Sequence, residues 1–316
     1  MIKEKVSFVI PCYNSTNTLD DVVAEIEKTM TEQLPAYDYE IILVNDCSPD
    51  GTTYDKIKEI AIKKTFVKGI NLARNFGQPS AVMAAIHYVT GDYVVCGDDD
   101  GQTPFSDFPE LFAKIQEGYD VVEAKYSHNE KKSLFRKFGT FMNESMATWL
   151  IDKPKGLELT TFWCTRRFII DNMLQYENPY PYLGGLMLRC SKNACNVEVT
   201  RRKRLKGKSG YSLKKMIALW ANGFTNFSIK PLRIATVSGI GLAILGFVFG
   251  FITIVRKIIN PQISAGYTTT IALLVFFFGF SFLFMGLLGE YVGRIYMSLN
   301  RAPQFLIKEK INIENN

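Results

Sequence analysis

The chain has 316 residues, of which 47% are hydrophobic and 22% charged, and it carries a net charge of +6 at pH 7. This is enough sequence for one large domain or two smaller ones. The six cysteines form no repeated C-x-x-C pattern, so we expect free thiols in a reducing compartment and no disulfide framework. No signal peptide opens the sequence, and we therefore expect the first domain to stay in the cytosol.

Strands and helices are predicted to alternate over the first 124 residues. We predict strands at 6–11, 40–45, 67–72, 93–97 and 120–124, and helices at 17–33, 53–61, 79–89 and 105–117. This order indicates βαβ units and a mostly parallel sheet. Because parallel strands place their carboxyl ends at one edge, the turns 11–14, 46–52 and 98–102 should converge on one crevice.

Three consecutive acids, Asp98 to Asp100, follow the fourth predicted strand. Taken alone, they are equally typical of a solvated acidic turn. At the carboxyl end of a buried strand, however, α/β sheets bind ligands. Asp98 and Asp100 lie two residues apart and could place two hard oxygens on one Mg²⁺ or Mn²⁺ ion, with phosphate oxygens of a substrate completing its coordination.

Two common phosphate-binding signatures are absent from the sequence. No G-x-G-x-x-G follows the first strand, which argues against a nicotinamide-dependent dehydrogenase, and there is no Walker lysine loop. Further along, the spacing predicts an amphipathic helix at 131–150 and a short strand at 157–164.

A dense basic run at 201–211 contains no acid. Such runs are often solvated or bind nucleic acid, but this one comes directly before a membrane segment. Its position favours anionic headgroups or a phosphorylated lipid, at about 1 kcal/mol per cation, so no nucleic-acid partner is expected. The following segment, 211–231, mixes aromatic residues with lysines and is predicted to lie as a helix in the membrane interface; a soluble surface helix is the alternative.

Two long runs almost free of charge, 232–255 and 268–289, are each long enough to span a hydrocarbon core. Basic residues concentrate on their outer flanks, so the positive-inside rule predicts a hairpin with both ends cytosolic, whereas a pair of buried soluble helices is the alternative. The predicted organisation is a cytosolic catalytic domain at 1–210, an interfacial helix at 211–231, transmembrane helices at 232–255 and 268–289, and a cytosolic tail at 290–316.

Several motifs together resemble family 2 glycosyltransferases of the GT-A fold. They are VIPCYN at 9–14, EIILVND at 40–46 with SPDGT at 48–52, LARNFG at 72–77, and D-x-D-x-Q-x-P at 98–104. R-x-x-G-x-S-x-Y at 204–211 and GLLGEYVGRIY at 286–296 are similar to the polyprenyl-phosphate branch. That branch includes dolichol-phosphate mannose synthases, GtrB-type glucosyltransferases and undecaprenyl-phosphate aminoarabinose transferases.

The resemblance implies an α/β fold of the GT-A type, Rossmann-like with a mostly parallel sheet, followed by a two-helix transmembrane hairpin. It also implies a role for individual side chains. The nucleobase and ribose would be held by Pro11, Tyr13 and Asp46, the metal and the donor diphosphate by Asp98, Asp100 and Gln102, the lipid phosphate by Lys125, Arg136, Thr140 and Arg204, and the lid over the donor by Ser209 and Tyr211. Asp98, Asp100, Arg136 and Arg204 would form the catalytic set.

The sequence departs from the family pattern at several positions. Asn45 replaces the first acid of the usual Asp-Asp pair, and 160–163 lacks both the acid and the arginine of the usual Gly-Asp-Phe-Arg segment. Lys125 and Thr140 stand where the family more often has arginine and serine. Lysine keeps the charge but loses the bidentate fork. Mannose- and glucose-transferring members often carry the acid that is missing from 160–163, so the choice of sugar is open.

The function implied is an inverting, metal-dependent transfer of a sugar from a nucleotide-sugar to polyprenyl phosphate, undecaprenyl phosphate in a bacterium. The enzyme would be a multi-pass protein of the bacterial cytoplasmic membrane, and the family's behaviour is consistent with a homo-oligomer such as a tetramer. One alternative is transfer to a lipid or glycan hydroxyl, for which Glu158 and Asp171 are poor candidates as the base. The other is a membrane scaffold that keeps the fold without activity.

Overall fold

The computed structural model describes residues 3–126, 148, 152–200, 202, 230–260, 266–300 and 302–313. Two compact units divide the chain: Met1–Lys215 with Arg301–Asn316, and Met216–Asn300. The predicted helices at 131–150 and 211–231 fall almost entirely outside the described residues. The same holds for five of the predicted site residues, which are Arg136, Thr140, Arg204, Ser209 and Tyr211.

The first unit contains an eight-stranded mixed sheet with the strand order β7-β5-β6-β4-β1-β2-β3-β8. Its strands are β1 (Lys5–Cys12), β2 (Asp38–Asn45), β3 (Val67–Leu72), β4 (Tyr93–Cys96), β5 (Val121–Tyr126), β6 (Trp163–Arg166), β7 (Ala194–Val199) and β8 (Ile307–Ile311). The β3–β2–β1–β4 half is parallel, β7 pairs in parallel with β5, and β6 and β8 are antiparallel to their neighbours. The predicted α/β class with a mostly parallel first half is confirmed.

The first unit also contains six described helices, of which the first four alternate with the strands in the order that the sequence predicts, whereas the last two both lie between β6 and β7 and were not predicted. The six helices are α1 (Leu19–Gln33), α2 (Thr53–Lys63), α3 (Gln78–Ile86), α4 (Phe108–Gln116), α5 (Arg167–Met173) and α6 (Leu183–Cys190), with a 3-10 turn at Phe105–Asp107. The 105–117 helix of the sequence analysis is thus a 3-10 turn followed by α4. Pro109 at the second position of α4 suits a first helical turn, whose N–H groups have no partner within the helix.

The hydrophobic core forms around β1, where every residue except Lys5 is buried, as expected for a strand covered on both faces. Phe8 makes edge-to-face contacts with Phe105 and Phe108, with ring centroids 6.2 and 5.2 Å apart. All six cysteines are free thiols, in agreement with the prediction. Burial of this apolar surface fixes β1 and β4 at the centre of the sheet, and with them the turns that follow.

The structure differs from the sequence analysis between β5 and β6. The strand predicted at 157–164 begins only at Trp163, and residues 157–162 form a loop. Polar side chains of β5 and β7 bind the backbone of this loop, so the N–H groups of Glu158 and Thr160 and the C=O group of Glu158 are satisfied without a strand partner.

The tail that was predicted at 290–316 is divided between two elements. Its first ten residues continue a long helix, and Ile307–Ile311 forms β8 at the edge of the sheet, antiparallel to β3. The side chain of Asn312 donates hydrogen bonds to the carbonyls of Ala61 and Val67, at 2.7 and 2.8 Å. The described end of the chain therefore belongs to the same unit as the first strand.

The second unit contains two long helices, α7 (Lys230–Ile259) and α8 (Tyr267–Leu299). Their apolar windows are Leu232–Ile252 and Phe276–Leu299, with mean hydropathies of 2.1 and 1.5. By length and composition both could cross a membrane. Large apolar side chains on them are exposed, Phe247 by 78%, as expected for surfaces that face lipid.

Candidate active site

The turns after β1, β2 and β4 meet at the carboxyl edge of the sheet, as the strand order predicts. The backbone N–H of Asn14 donates to the hydroxyl of Ser48 at 3.0 Å, and that of Ser15 donates to the hydroxyl of Thr53 at 3.0 Å. Asn14 has a φ of 57°, a left-handed conformation that asparagine tolerates better than most residues. The first two turns are thereby locked together.

Asp99, the middle acid of the triplet, joins the turn after β4 to the turn after β1. Its carboxylate accepts hydrogen bonds from the backbone N–H of Tyr13, at 2.8 Å, and from the hydroxyl of Ser15. Burial, opposed by these hydrogen bonds, raises the pKa of Asp99 to about 6. Asp99 had no predicted role, because the inward direction of its side chain follows from the turn and could not be deduced from the triplet alone.

Asp98 is held in place by the neighbouring elements. Its two carboxylate oxygens accept hydrogen bonds from the amide of Gln78, at 2.8 Å, and from the hydroxyl of Thr161, at 2.6 Å. The Asp98 backbone N–H donates to the hydroxyl of Thr103 at 2.9 Å. A Cβ at Gly97 would lie 2.5 Å from the Phe105 ring, so the turn can pack this closely only with glycine there.

Asp100 and Gln102 occupy the tip of the same turn. The Asp100 carboxylate accepts a hydrogen bond from the Gln102 backbone N–H at 3.0 Å, and Gly101 between them has a φ of 77°. The Gln102 amide points to the carbonyl of Arg202, 3.4 Å away. Arg202 is itself held by Glu25 and Ser106, at 2.8 Å each.

The oxygen chemistry of this turn fits a divalent cation. Among the described residues, no three His, Cys, Asp or Glu side chains are grouped as a complete metal site. Mg²⁺ is commonly held by one or two carboxylates together with phosphate oxygens of a substrate, and Asp98 and Asp100 provide that number of carboxylates. Each carboxylate oxygen has two lone pairs, so the hydrogen bonds to Asp98 do not exclude a metal.

Asp46 lies at the end of β2 and shapes the turn after β3. Its two carboxylate oxygens accept hydrogen bonds from the backbone N–H groups of Phe76 and Gly77, at 2.8 Å each. Burial raises the pKa of Asp46, and these two hydrogen bonds oppose the rise. The side chain is buried and accepts both of these hydrogen bonds, so it fixes the 75–77 turn. Its direct contact with a nucleotide stays a prediction.

Asn45 uses its amide where the family more often has an acid. The Asn45 side chain donates to the Asn71 side-chain oxygen at 2.8 Å and accepts from the hydroxyl of Ser48 at 2.6 Å. A carboxylate could accept from Ser48 but could not donate to Asn71, so the amide ties β2 to β3 and to its own turn.

The other predicted donor residues stand on the turn after β1. Pro11 is buried within β1, and the Tyr13 side chain is 49% exposed at the crevice. An exposed aromatic ring beside a rigid turn is suited to stack on a planar group. The structure thus brings Pro11, Tyr13, Asp46, Asp98, Asp100 and Gln102 to one edge of the sheet.

Lys125 is the predicted acceptor residue that the structure describes. It lies near the end of β5, with its ammonium 3.8 Å from the carboxylate of Glu158. Both side chains are partly exposed, so the pair is weak and its cation remains available to an anion. The roles of Arg136, Thr140, Arg204, Ser209 and Tyr211 stay predictions, since these residues are outside the described ranges.

Comparison with known proteins agrees with this geometry. Residues 7–195 match glycosyl transferase family 2, and residues 230–295 match the GtrB C-terminal hairpin. The chain belongs to glycosyl transferase family 2 and is a glycosyltransferase. It is 35% identical to the undecaprenyl-phosphate 4-deoxy-4-formamido-L-arabinose transferase of Proteus mirabilis, over 98% of this chain and 95% of that protein.

Solved structures show the same fold at low sequence identity. Mannosyl-3-phosphoglycerate synthase from Rubrobacter xylanophilus has a TM-score of 0.51 at 16% identity, over 69% of this chain and 71% of its own. Glucosyl-3-phosphoglycerate synthase from Mycobacterium tuberculosis, in complex with Mn²⁺, UDP and phosphoglyceric acid, has a TM-score of 0.50 at 17% identity, over 68% and 74%. The predicted GT-A type of fold is thereby confirmed.

Proposed function

We propose that the protein transfers a sugar from a nucleotide-sugar to a polyprenyl phosphate at the cytosolic face of a bacterial cytoplasmic membrane. The observation that carries the proposal is the acidic carboxyl-edge site of a family 2 domain in the same chain as a GtrB hairpin. Relatives that match nearly the whole chain are named undecaprenyl-phosphate transferases, which supports undecaprenyl phosphate as the acceptor.

The donor would bind across the locked turns. Tyr13 would stack on the base, with Pro11 and Asp46 fixing the turns that surround the base and the ribose. Asp98, Asp100 and Gln102 would hold the diphosphate and its cation. A bound Mg²⁺ or Mn²⁺ ion would neutralise the charge that develops on the departing nucleoside diphosphate. A related fold solved with Mn²⁺ and UDP supports this assignment.

The acceptor phosphate is already anionic at neutral pH, so the reaction needs no general base. One phosphate oxygen would attack the anomeric carbon as the bond from that carbon to the diphosphate breaks, and the electron pair would leave with the nucleoside diphosphate. Lys125, Arg136, Thr140 and Arg204 would position the attacking group, which is where the rate enhancement would arise. In-line attack inverts the configuration of the anomeric carbon.

The hairpin would bring the soluble donor and the lipid acceptor to one interface. Its two apolar helices and the basic run at 201–211 support a multi-pass protein with a cytosolic catalytic domain. A homo-oligomer such as a tetramer, consistent with the family's behaviour, stays a prediction.

The full chain, purified in detergent, can be tested with undecaprenyl phosphate, Mg²⁺ or Mn²⁺, and a panel of nucleotide-sugars. The panel should include UDP-glucose, GDP-mannose and UDP-4-deoxy-4-formamido-L-arabinose, with the glycolipid detected by mass spectrometry. One glycolipid formed only with metal would establish the reaction and identify the sugar. A product on an acceptor alcohol but none on the phosphate would overturn the proposal in favour of transfer to a hydroxyl.

A further inference from the structure

Glu123, in the middle of β5, is a fully buried acid to which the proposed mechanism gives no role. Its Oε2 atom accepts a hydrogen bond from the backbone N–H of Thr160 at 2.8 Å and a longer one from the Thr160 hydroxyl at 3.3 Å. Its Oε1 atom is buried and, in the part of the chain that the structure describes, has no hydrogen-bond partner.

A role in stability alone does not explain this side chain. A buried polar atom without a partner destabilises a fold, and an apolar side chain would pack between the neighbouring strands without that cost. Val121 and Val122 of the same strand, and Trp163 opposite Glu123 on β6, are all buried. The carboxyl group is therefore explained by what it binds, which is Thr160.

Thr160 belongs to a short stretch, Glu158–Thr161, that we call the bridging segment. At one end, the Thr161 hydroxyl donates to Asp98 at 2.6 Å. At the other end, the Glu158 carboxylate lies 3.8 Å from the ammonium of Lys125. The segment thus joins the predicted donor side of the site to the predicted acceptor side.

Asn196 of β7 holds the Glu158 end of the bridging segment. Its side-chain oxygen accepts from the Glu158 N–H at 2.8 Å, and its amide donates to the Glu158 carbonyl at 2.9 Å. Glu123 and Asn196 are paired in the register of β5 and β7. Two adjacent strands therefore hold the bridging segment: Asn196 of β7 binds Glu158, and Glu123 of β5 binds Thr160.

We propose that Glu123 is a positioning residue whose buried carboxyl group holds the bridging segment in the conformation in which Thr161 orients Asp98 and Glu158 pairs with Lys125. The inference rests on the proposed function, because it assigns Asp98 to the donor and Lys125 to the acceptor. Glu123 acts through Thr160 and Thr161 and touches neither substrate.

The neutral form of Glu123 fits this arrangement. Burial, opposed by the hydrogen bonds from Thr160, raises the pKa of Glu123 to about 8. The neutral acid keeps Oε2 as an acceptor for the Thr160 N–H, so it can still hold the bridging segment. Among the described residues, the titratable groups that interact with Glu123 from the packed elements are the thiol of Cys96 on β4 and the phenol of Tyr182 before α6.

The test compares Glu123→Leu and Glu123→Gln with Glu32→Gln, the same chemical change at an exposed site on α1. Initial rates with the full chain give kcat and KM for donor and acceptor between pH 6 and pH 9. Glu123→Leu should lower kcat/KM by about tenfold to hundredfold, the range seen when a supporting group is removed from a metal site. Glu123→Gln mimics the neutral acid, so it should keep the activity at pH 7 and lose the change in activity near pH 8.

A second variant covers the case in which Glu123→Leu does not fold. Thr161→Val keeps the shape of its side chain and removes the hydroxyl that binds Asp98. It should raise the KM for metal and donor with an unchanged melting temperature. A folded Glu123→Leu with wild-type kcat and both KM values, or a Thr161→Val with wild-type kinetics, would overturn the inference.

Hydrogen exchange separates failure of this inference from failure of the proposed function. Glu123→Leu should increase exchange at the Thr160 amide and its neighbours and leave β1 and β2 unchanged, whether or not a glycolipid forms. If the wild-type protein forms no glycolipid, the proposed function fails, while unchanged exchange at residues 158–161 would refute the positioning role by itself.

Discussion

The pKa values of buried acids are shifted in opposite directions at the amino edge and at the carboxyl edge of the sheet. At the amino edge, Glu40 is 2% exposed and binds Lys5 and Lys68, at 2.9 and 2.8 Å, together with Ser7 and Thr90. Burial raises the pKa of Glu40, but the hydrogen bonds outweigh it and bring the value to about 2. At the carboxyl edge, burial dominates, and the pKa values of Asp46 and Asp99 are raised.

The difference separates the part of the sheet that supports stability from the part that supports a site. A carboxylate that is paired with two lysines is stable in its ionised form and stabilises the fold. Acids gathered at one edge repel one another, and a cation with its phosphate ligands would relieve that repulsion. Local electrostatic conflict of this kind is expected at functional sites.

The largest expected effect on stability is that of Glu40→Ala. The substitution leaves two lysines without their carboxylate and should lower the free energy of unfolding by about 3 kcal/mol, the low end for a broken buried pair because both lysines are partly exposed. Activity per folded molecule should not change. The pKa of Glu40 is lowered, so its stabilisation is complete above pH 4.5 and is lost as the pH falls toward 2.

Thermal unfolding of the wild type and Glu40→Ala at several pH values checks this expectation. The difference between the two should shrink on acidification. A difference that is constant from pH 7 to pH 3 would contradict the assigned pairing.

Asp100→Ala, at the carboxyl edge, should lower the activity without lowering the stability, which is the reverse of the effect of Glu40→Ala. Loss of a metal-binding carboxylate should reduce kcat/KM by about a hundredfold, which corresponds to a few kcal/mol of transition-state stabilisation. The melting temperature should stay the same or rise, because one of three adjacent acids is removed. Asp21→Ala, at an exposed position of α1, is the matched control.

Chelation gives a second measurement for the same prediction. EDTA should abolish the activity of the wild type. Added Mg²⁺ or Mn²⁺ should then restore the activity of the wild type and should not restore activity in Asp100→Ala. Full activity of metal-free protein would refute the metal assignment.

Asp46→Asn should lower both the stability and the activity. An asparagine presents one oxygen and one amide to two backbone N–H donors, so one donor loses its acceptor, at about 2 kcal/mol. The turn at 75–77 should loosen and raise the KM for the donor more than it lowers kcat. Asp38→Asn, exposed at the other end of β2, serves as the control. Equal KM values for both variants would show that the turn is not part of the donor site.

Glu123→Gln should have the smallest effect on activity at pH 7, and it should be visible as a change in the pH dependence of stability. The pKa of Glu123 rises from 4.5 to about 8 on folding, so the folded state binds a proton that the unfolded state has released. Stability should therefore fall as the pH rises between these values, by at most about 1.4 kcal/mol per pH unit. The variant lacks this contribution, so its melting temperature should decline less than that of the wild type between pH 6 and pH 8, whereas Glu32→Gln should follow the wild type.

The donor half of the site could be predicted because each of its elements is local in sequence. Asp98 and Asp100 follow a buried strand directly, and the turns after β1 and β2 meet them through strand order alone. Asp99 was not assigned, since the direction of its side chain depends on Tyr13 and Ser15, more than eighty residues away in the chain.

Glu123 was beyond prediction for a related reason. It alternates with Val122 and Ala124, a pattern that suggests a solvent-facing position, and its partner Thr160 lies 37 residues later. β8 was missed because IKEKI reads as a charged tail, and only its pairing with β3 makes it a strand. Charged residues suit an edge strand, since they discourage further pairing.

The placement of β8 has a consequence for biosynthesis. The side chain of Asn312 binds the carbonyl of Val67, 245 residues earlier, and both long helices lie between them in the chain. The sheet therefore cannot be completed until the ribosome has finished the hairpin and the segment that follows it. Until then the outer edge of β3 lacks its partner, so a polypeptide that terminates early presents an open strand edge. Completion of the catalytic domain thus requires that both long helices have already been made.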